Sequence, residues 1–157
     1  MMDKRETILA HLLAMLDGLD GLAEVDGVKS VFRNRGEIPQ EKLPAVVLLD
    51  GREKIKVSTS THGGLRTPTI FTLSPQIFIV LKPRDDINND GIGEELSAYR
   101  VKIIKLMRDD DTLAALLGAN GEALYLSSET DMQTGSTMQG QMQMDFAFSY
   151  VLNPSDL

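Results

Sequence analysis

From Met138 to Leu152 the chain reads "MQGQMQMDFAFSYVL", apolar or glycine at every even position and mostly polar at the odd ones. Met142, Met144, Phe146, Phe148 and Tyr150 fall on one side, and Gln139, Gln141, Gln143, Asp145 and Ser149 on the other. Period two marks a strand with one buried and one wet face. At about 3.3 Å per residue the stretch spans roughly 50 Å, whereas ordinary strands run about 5–6 residues. A compact domain of 157 residues has a radius of gyration near ~15 Å, so its diameter is shorter than this strand. The strand is therefore expected to bend, with a bulge at Gly140, or to project toward another chain.

Period 3.6 appears at three places. Ile8, Leu9, Leu12, Leu13 and Leu16 form a helical stripe, with Asp3 and Glu6 spaced as a capping box and Gly18 and Gly21 as stops. Leu96, Tyr99, Ile103, Leu106 and Met107 share one face of "EELSAYRVKIIKLM". "DDDTLAALLG" predicts a short helix capped by Asp110 or Asp111 and stopped by Gly118. Between them lie strand patterns: "GVKSVFRN"; "LPAVVLLDG", closed by a turn at Asp50-Gly51; "EKIKVS"; "TIFTLSPQIFIVLK"; and "EALYLSS". Pro75 cannot donate to a ladder, so its strand is expected at a sheet edge or bulged there. The order is one helix, several strands, two helices and two strands. That order predicts a single α+β domain over residues 1–157, with a mostly antiparallel or mixed sheet and helices packed on one face.

Charge narrows the classes. Sixteen Lys and Arg against 23 Asp and Glu give −7, a poor balance for gripping phosphates. The chain has no cysteine, hence no disulfide frame, zinc-finger spacing or thiol chemistry. No apolar run approaches the ~18–20 residues of a membrane span, and the N-terminus lacks a signal-peptide pattern. Synthesis in the cytoplasm, with no membrane partner, is the expectation.

Candidate chemistry is sparse. "DINNDG" offers oxygens at Asp86, Asn88 and Asp90 followed by glycine, the start of a calcium loop. The position for its bidentate glutamate is Ser97, and Pro83 precedes it where a helix should enter, so a polar turn fits better. Asp109, Asp110 and Asp111 suit a helix N-terminus better than an acid–base site. His11 and His62 sit on different elements with no spaced partner. The methionines Met132, Met138, Met142 and Met144 could hold copper through their thioethers, but three lie on the apolar face and read as packing. No catalytic group, metal ligand or cofactor is assigned. His62 and Arg66 in the polar "STSTHGGLRTPT", with the row Gln139, Gln141 and Gln143, are the candidate contact residues for a subunit or partner.

In order, spacing and texture the chain resembles the tail terminator (tail-completion) proteins of long-tailed phages. The segments carrying the resemblance are "RETILAHLLAML", "VKSVFRNRGEIPQEKLPAVVLLDGREKI", "QIFIVLK", "ELSAYRVKIIKLM", "DDDTLAALLG" and "MQMDFAFSYVL". Head–tail joining proteins of the phage neck are a near neighbour in form. The resemblance implies a non-enzymatic virion protein without cofactors. It implies a hexameric ring that caps the tail tube, ends tube growth and presents a surface to the head–tail connector. DNA would pass through the lumen without specific binding, which an acidic chain suits. It also gives "STSTHGGLRTPT" and "SSETDMQTGST" a role as loops that order against the tube or a neighbouring subunit. From a different class, the alternative is a cytosolic calcium- or small-ligand-binding α+β module around Asp86, Asn88 and Asp90.

Overall fold

The computed structural model describes residues 3–55, 67–83, 90–133 and 139–156. The chain opens with α1 (Lys4–Leu16), whose apolar stripe buries Ile8, Leu9, Leu12, Met15 and Leu16. Asp3 makes no side-chain cap, and Glu6 bonds Arg33 in place of closing a capping box. Two short strands follow, β1 (Glu24–Val25) and β2 (Val28–Lys29), paired as a hairpin. Their turn is Asp26-Gly27, both at positive φ, as a two-residue turn of this twist requires. β3 (Val31–Arg33) leads through a 3-10 turn at Gln40–Lys42 to β4 (Ala45–Ile55). β5 (Thr69–Val80) returns, followed by α2 (Asp90–Asp109) and α3 (Asp111–Leu117). β6 (Glu122–Gln133) and β7 (Gln139–Leu152) close the fold, before a 3-10 turn at Pro154–Asp156.

The five longer strands form one mixed sheet in the order β3-β4-β5-β7-β6. β3 runs parallel to β4, and every other pair is antiparallel. All three helices contribute to one core with Leu48, Leu73, Ile77, Ile79, Met144, Phe146, Phe148 and Tyr150 of the sheet. Burying such side chains is worth about 1.5–3 kcal/mol each. The fold is α+β with a mixed sheet, as the element order predicts.

Several local expectations need correction. Asp50-Gly51 does not turn the chain. β4 runs through it as a bulge, with two residues set against one between Leu49↔Gln76 and Arg52↔Ser74. Gly51 has φ +72°, and a Cβ there would lie 1.9 Å from the Ser74 carbonyl oxygen. The residue opposite this bulge is Pro75, so β5 tolerates its proline as a central strand and not as an edge. β7 neither bulges at Gly140 nor projects. Gly140 pairs in register with Met132, and the strand is laddered to β6 from Gln139 to Ser149 and to β5 from Gln141 to Leu152. Relief comes from its neighbours, because β6 carries its own bulge between Tyr125 and Ser127. β6 also runs on to Gln133, so much of "SSETDMQTGST" is strand and not loop.

Candidate assembly surface

The polar groups divide between the two faces of the sheet. On the helix side, the Arg33 guanidinium donates to both Glu6 oxygens at 2.6 and 2.8 Å and to both Asp50 oxygens at 2.7 and 2.9 Å. These bonds hold the Glu6 and Asp50 carboxyls below the usual carboxylate range. Arg5 pairs with Glu53 at 3.2 Å, and the Tyr150 hydroxyl donates to Glu53 at 2.7 Å. Burial, aided by Glu53, pushes the Tyr150 phenol well up. The cluster ties α1 to β3, β4 and β7, and each of its three carboxylates has an arginine within 4 Å. A second tie joins α1 to α3. His11 lies 2.8 Å from Asp110, whose side chain also accepts from the Leu113 amide as the cap of α3. A cavity of about 330 Å³ beside it is lined mainly by core side chains, Ile104, Met107, Leu113, Leu117, Phe146 and Phe148 among them. Among the described residues, no three His, Cys, Asp or Glu side chains converge as metal ligands. No described helix is long and apolar enough to cross a membrane.

The other face carries the glutamine row. Gln139, Gln141 and Gln143 project there half-buried, level with Gln133, Asp131 and Glu129 of β6. The row stands one strand inside the sheet edge. Asp145 follows it and accepts from Gln76 at 3.0 Å, Gln143 at 3.1 Å and Ser127 at 3.0 Å. Burial pushes this carboxyl up, but the three donors outweigh burial and leave it below the usual range. Asp145 thus stays charged among neutral partners. It sits in a crease of about 450 Å³ with Gly51, Arg52, Ser74, Gln76, Leu126 and Phe146, where both bulges and Pro75 fall at one level.

The edge itself is β6, which the sequence reading did not single out. It carries Glu122, Glu129 and Asp131 and has no Lys, Arg or Pro. Leu124 and Leu126 are 46% and 55% exposed. A long edge strand with exposed leucines is a template for pairing, and its bulge and three carboxylates restrict which partner edge it can accept. Its sequence signal was "ALYL", apolar at successive positions and so apolar on both faces, in a strand with only one face covered by helices. His62, Arg66, Asp86 and Asn88 lie outside the described residues. So does most of "STSTHGGLRTPT", of which Thr69 begins β5, while Asp90 begins α2. No family model matches the chain, and no curated protein matches it.

Proposed function

We infer that this chain is a structural virion protein of the tail terminator type, working as a ring, of six copies by the resemblance, that caps a phage tail tube. Its partners are further copies of itself, the tube protein on one side and the head–tail connector on the other. Termination is geometric: one face of the ring matches the tube and the other does not. The observation that carries the reading is a sheet with both edges unpaired among the described residues, where the long β6 edge exposes Leu124 and Leu126 beside its acidic side chains. Such an edge on a net-acidic chain suits docking between protein copies better than phosphate binding.

The deciding experiment is electron microscopy of particles made without this protein. Overlong tails, or tails that fail to join heads, are expected. Tails of normal length joined to heads would end the proposal.

A further inference from the structure

The two edges of the sheet differ in charge. On the far side from β6, β3 covers β4 only from Val46 to Leu48. Beyond it, no described strand pairs with the outer side of β4, where Arg52 and Lys54 stand exposed on the same helix-free face as the glutamine row. Further along that edge Phe32 carries two cations over its ring, Arg35 at 4.7 Å and Lys42 at 5.8 Å. The same stretch contains Glu37 and Glu41, so its formal charge is balanced and its positive character is local to the Phe32 ring, where the two cations stand.

We propose that copies of this chain join head to tail, with the acidic β6 edge of one docking against the β3/β4 edge of the next. Strand direction permits it. β4 and β7 both run opposite to β5, and β6 runs opposite to β7, so β6 is antiparallel to β4 and β3. A copy set beside the first by rotation therefore continues an antiparallel alternation. Charge then matches row by row. Lys54, Thr72, Ser149 and Glu122 share one row across the sheet, so a level neighbour sets Glu122 beside Lys54. Phe32, Val47, Phe78, Gln143 and Glu129 share another, which sets Glu129 beside the Arg35–Phe32–Lys42 stack.

Shape matches too. β3 stands one strand spacing, about 4.8 Å, outside β4, so the receiving edge has a step where β3 ends. The bulge of β6 between Tyr125 and Ser127 falls at that level. The contact joins two different surfaces and so closes into a ring when the rotation permits. Pairing β6 with β6 would set Glu122, Glu129 and Asp131 of both copies against one another. This interface rests on the ring reading for its setting, and it can fail separately.

The test uses the full chain and two exposed double variants, Glu122→Lys with Glu129→Lys, and Arg35→Glu with Lys54→Glu. Each makes its two edges alike in sign. Thermal melts should overlay the parent's, because none of the four side chains is buried. Sedimentation velocity runs at about 0.1 M salt, where the screening length is about 10 Å. The parent is expected to assemble. Each variant alone should need at least tenfold higher concentration to do so, and an equimolar mixture should recover the parent's assembly as an alternating ring. Variants that each assemble like the parent would overturn the interface and leave the ring reading standing. So would a mixture that fails to recover, or an unaffected Arg35→Glu/Lys54→Glu variant, which is the mark of β6–β6 pairing. A parent that stays monomeric even with tube protein would remove the interface. The tail-length experiment then judges the ring reading independently.

Discussion

Along β7, Met142, Met144, Phe146, Phe148 and Tyr150 are buried under the helices, while Gln139, Gln141, Gln143 and Asp145, each one residue away, stand half-buried on the face away from the helices. The two sets share a backbone and divide the work. The apolar set fixes register, because a slip of one residue would turn every buried side chain outward. The polar set is then free to carry charge. Polar clusters repeat the division. On the helix side Arg33 bonds both Glu6 and Asp50, with Arg5 close to Asp50 and Glu53, and the result is a tie between elements. On the open side Asp145 has three neutral donors, and a negative charge is left facing the crease.

The sharpest way to break this contrast is to truncate one residue from each face. Phe148 is fully buried and stacks on Phe146 at 6.0 Å, so Phe148→Ala should cost about 3–5 kcal/mol. Ser149→Ala, next along the strand on the face away from the helices, should stay within about 0.5 kcal/mol. Chemical denaturation of the two variants checks both values. Comparable losses would mean that the open face is also packed, against something the isolated chain does not explain.

Smaller, but diagnostic, is Arg33→Ala. It leaves Asp50 without its guanidinium and should cost about 1–2 kcal/mol at neutral pH, after allowance for partial exposure. The loss should depend on pH. Glu6 and Asp50 have folded-state pKa values depressed by Arg33, so their contribution is complete above the unfolded carboxylate range, near pH 4. It disappears as pH falls through the lowered folded values. The gap between parent and variant in denaturation midpoint should therefore be widest near pH 7 and narrow below about pH 4. A gap independent of pH would assign Arg33 to packing alone.

Periodicity made the helices and most strands legible because burial imposes it directly. The stripe Leu96, Tyr99, Ile103 is buried as expected, and Asp110 caps α3 as its spacing before Leu113 suggests. What stayed hidden depends on partners distant in sequence. Glu6 looks like half of a capping box until Arg33, 27 positions later, takes both its oxygens. Asp50-Gly51 looks like a turn because the same dipeptide serves turns and bulges, and only Pro75 on the facing strand decides. The long terminal strand suggested a projecting arm, since its pairing on both sides cannot be read from its own alternation. The acidic edge was hidden for the same reason: strand order, not strand pattern, makes β6 the outermost strand.

The finest distinction concerns Asp145, and Asp145→Asn isolates its charge. The asparagine oxygen can still accept from Gln76 and Gln143, which both reach one oxygen of the carboxylate. Its amide then faces Ser127, whose hydroxyl can turn from donor to acceptor. Hydrogen bonding is thus conserved in number, and the change at pH 7 should be below about 1 kcal/mol. Since the Asp145 carboxyl lies below its usual range when folded, its ionised form favours the folded state. That advantage is present above the unfolded value near pH 4 and lost as pH falls through the folded one. Melting curves of parent and variant should therefore differ slightly at pH 7 and converge as pH falls below the unfolded value near 4. Divergence on acidification would mean that burial outweighs the three donors, and that the open face carries no settled negative charge at this point.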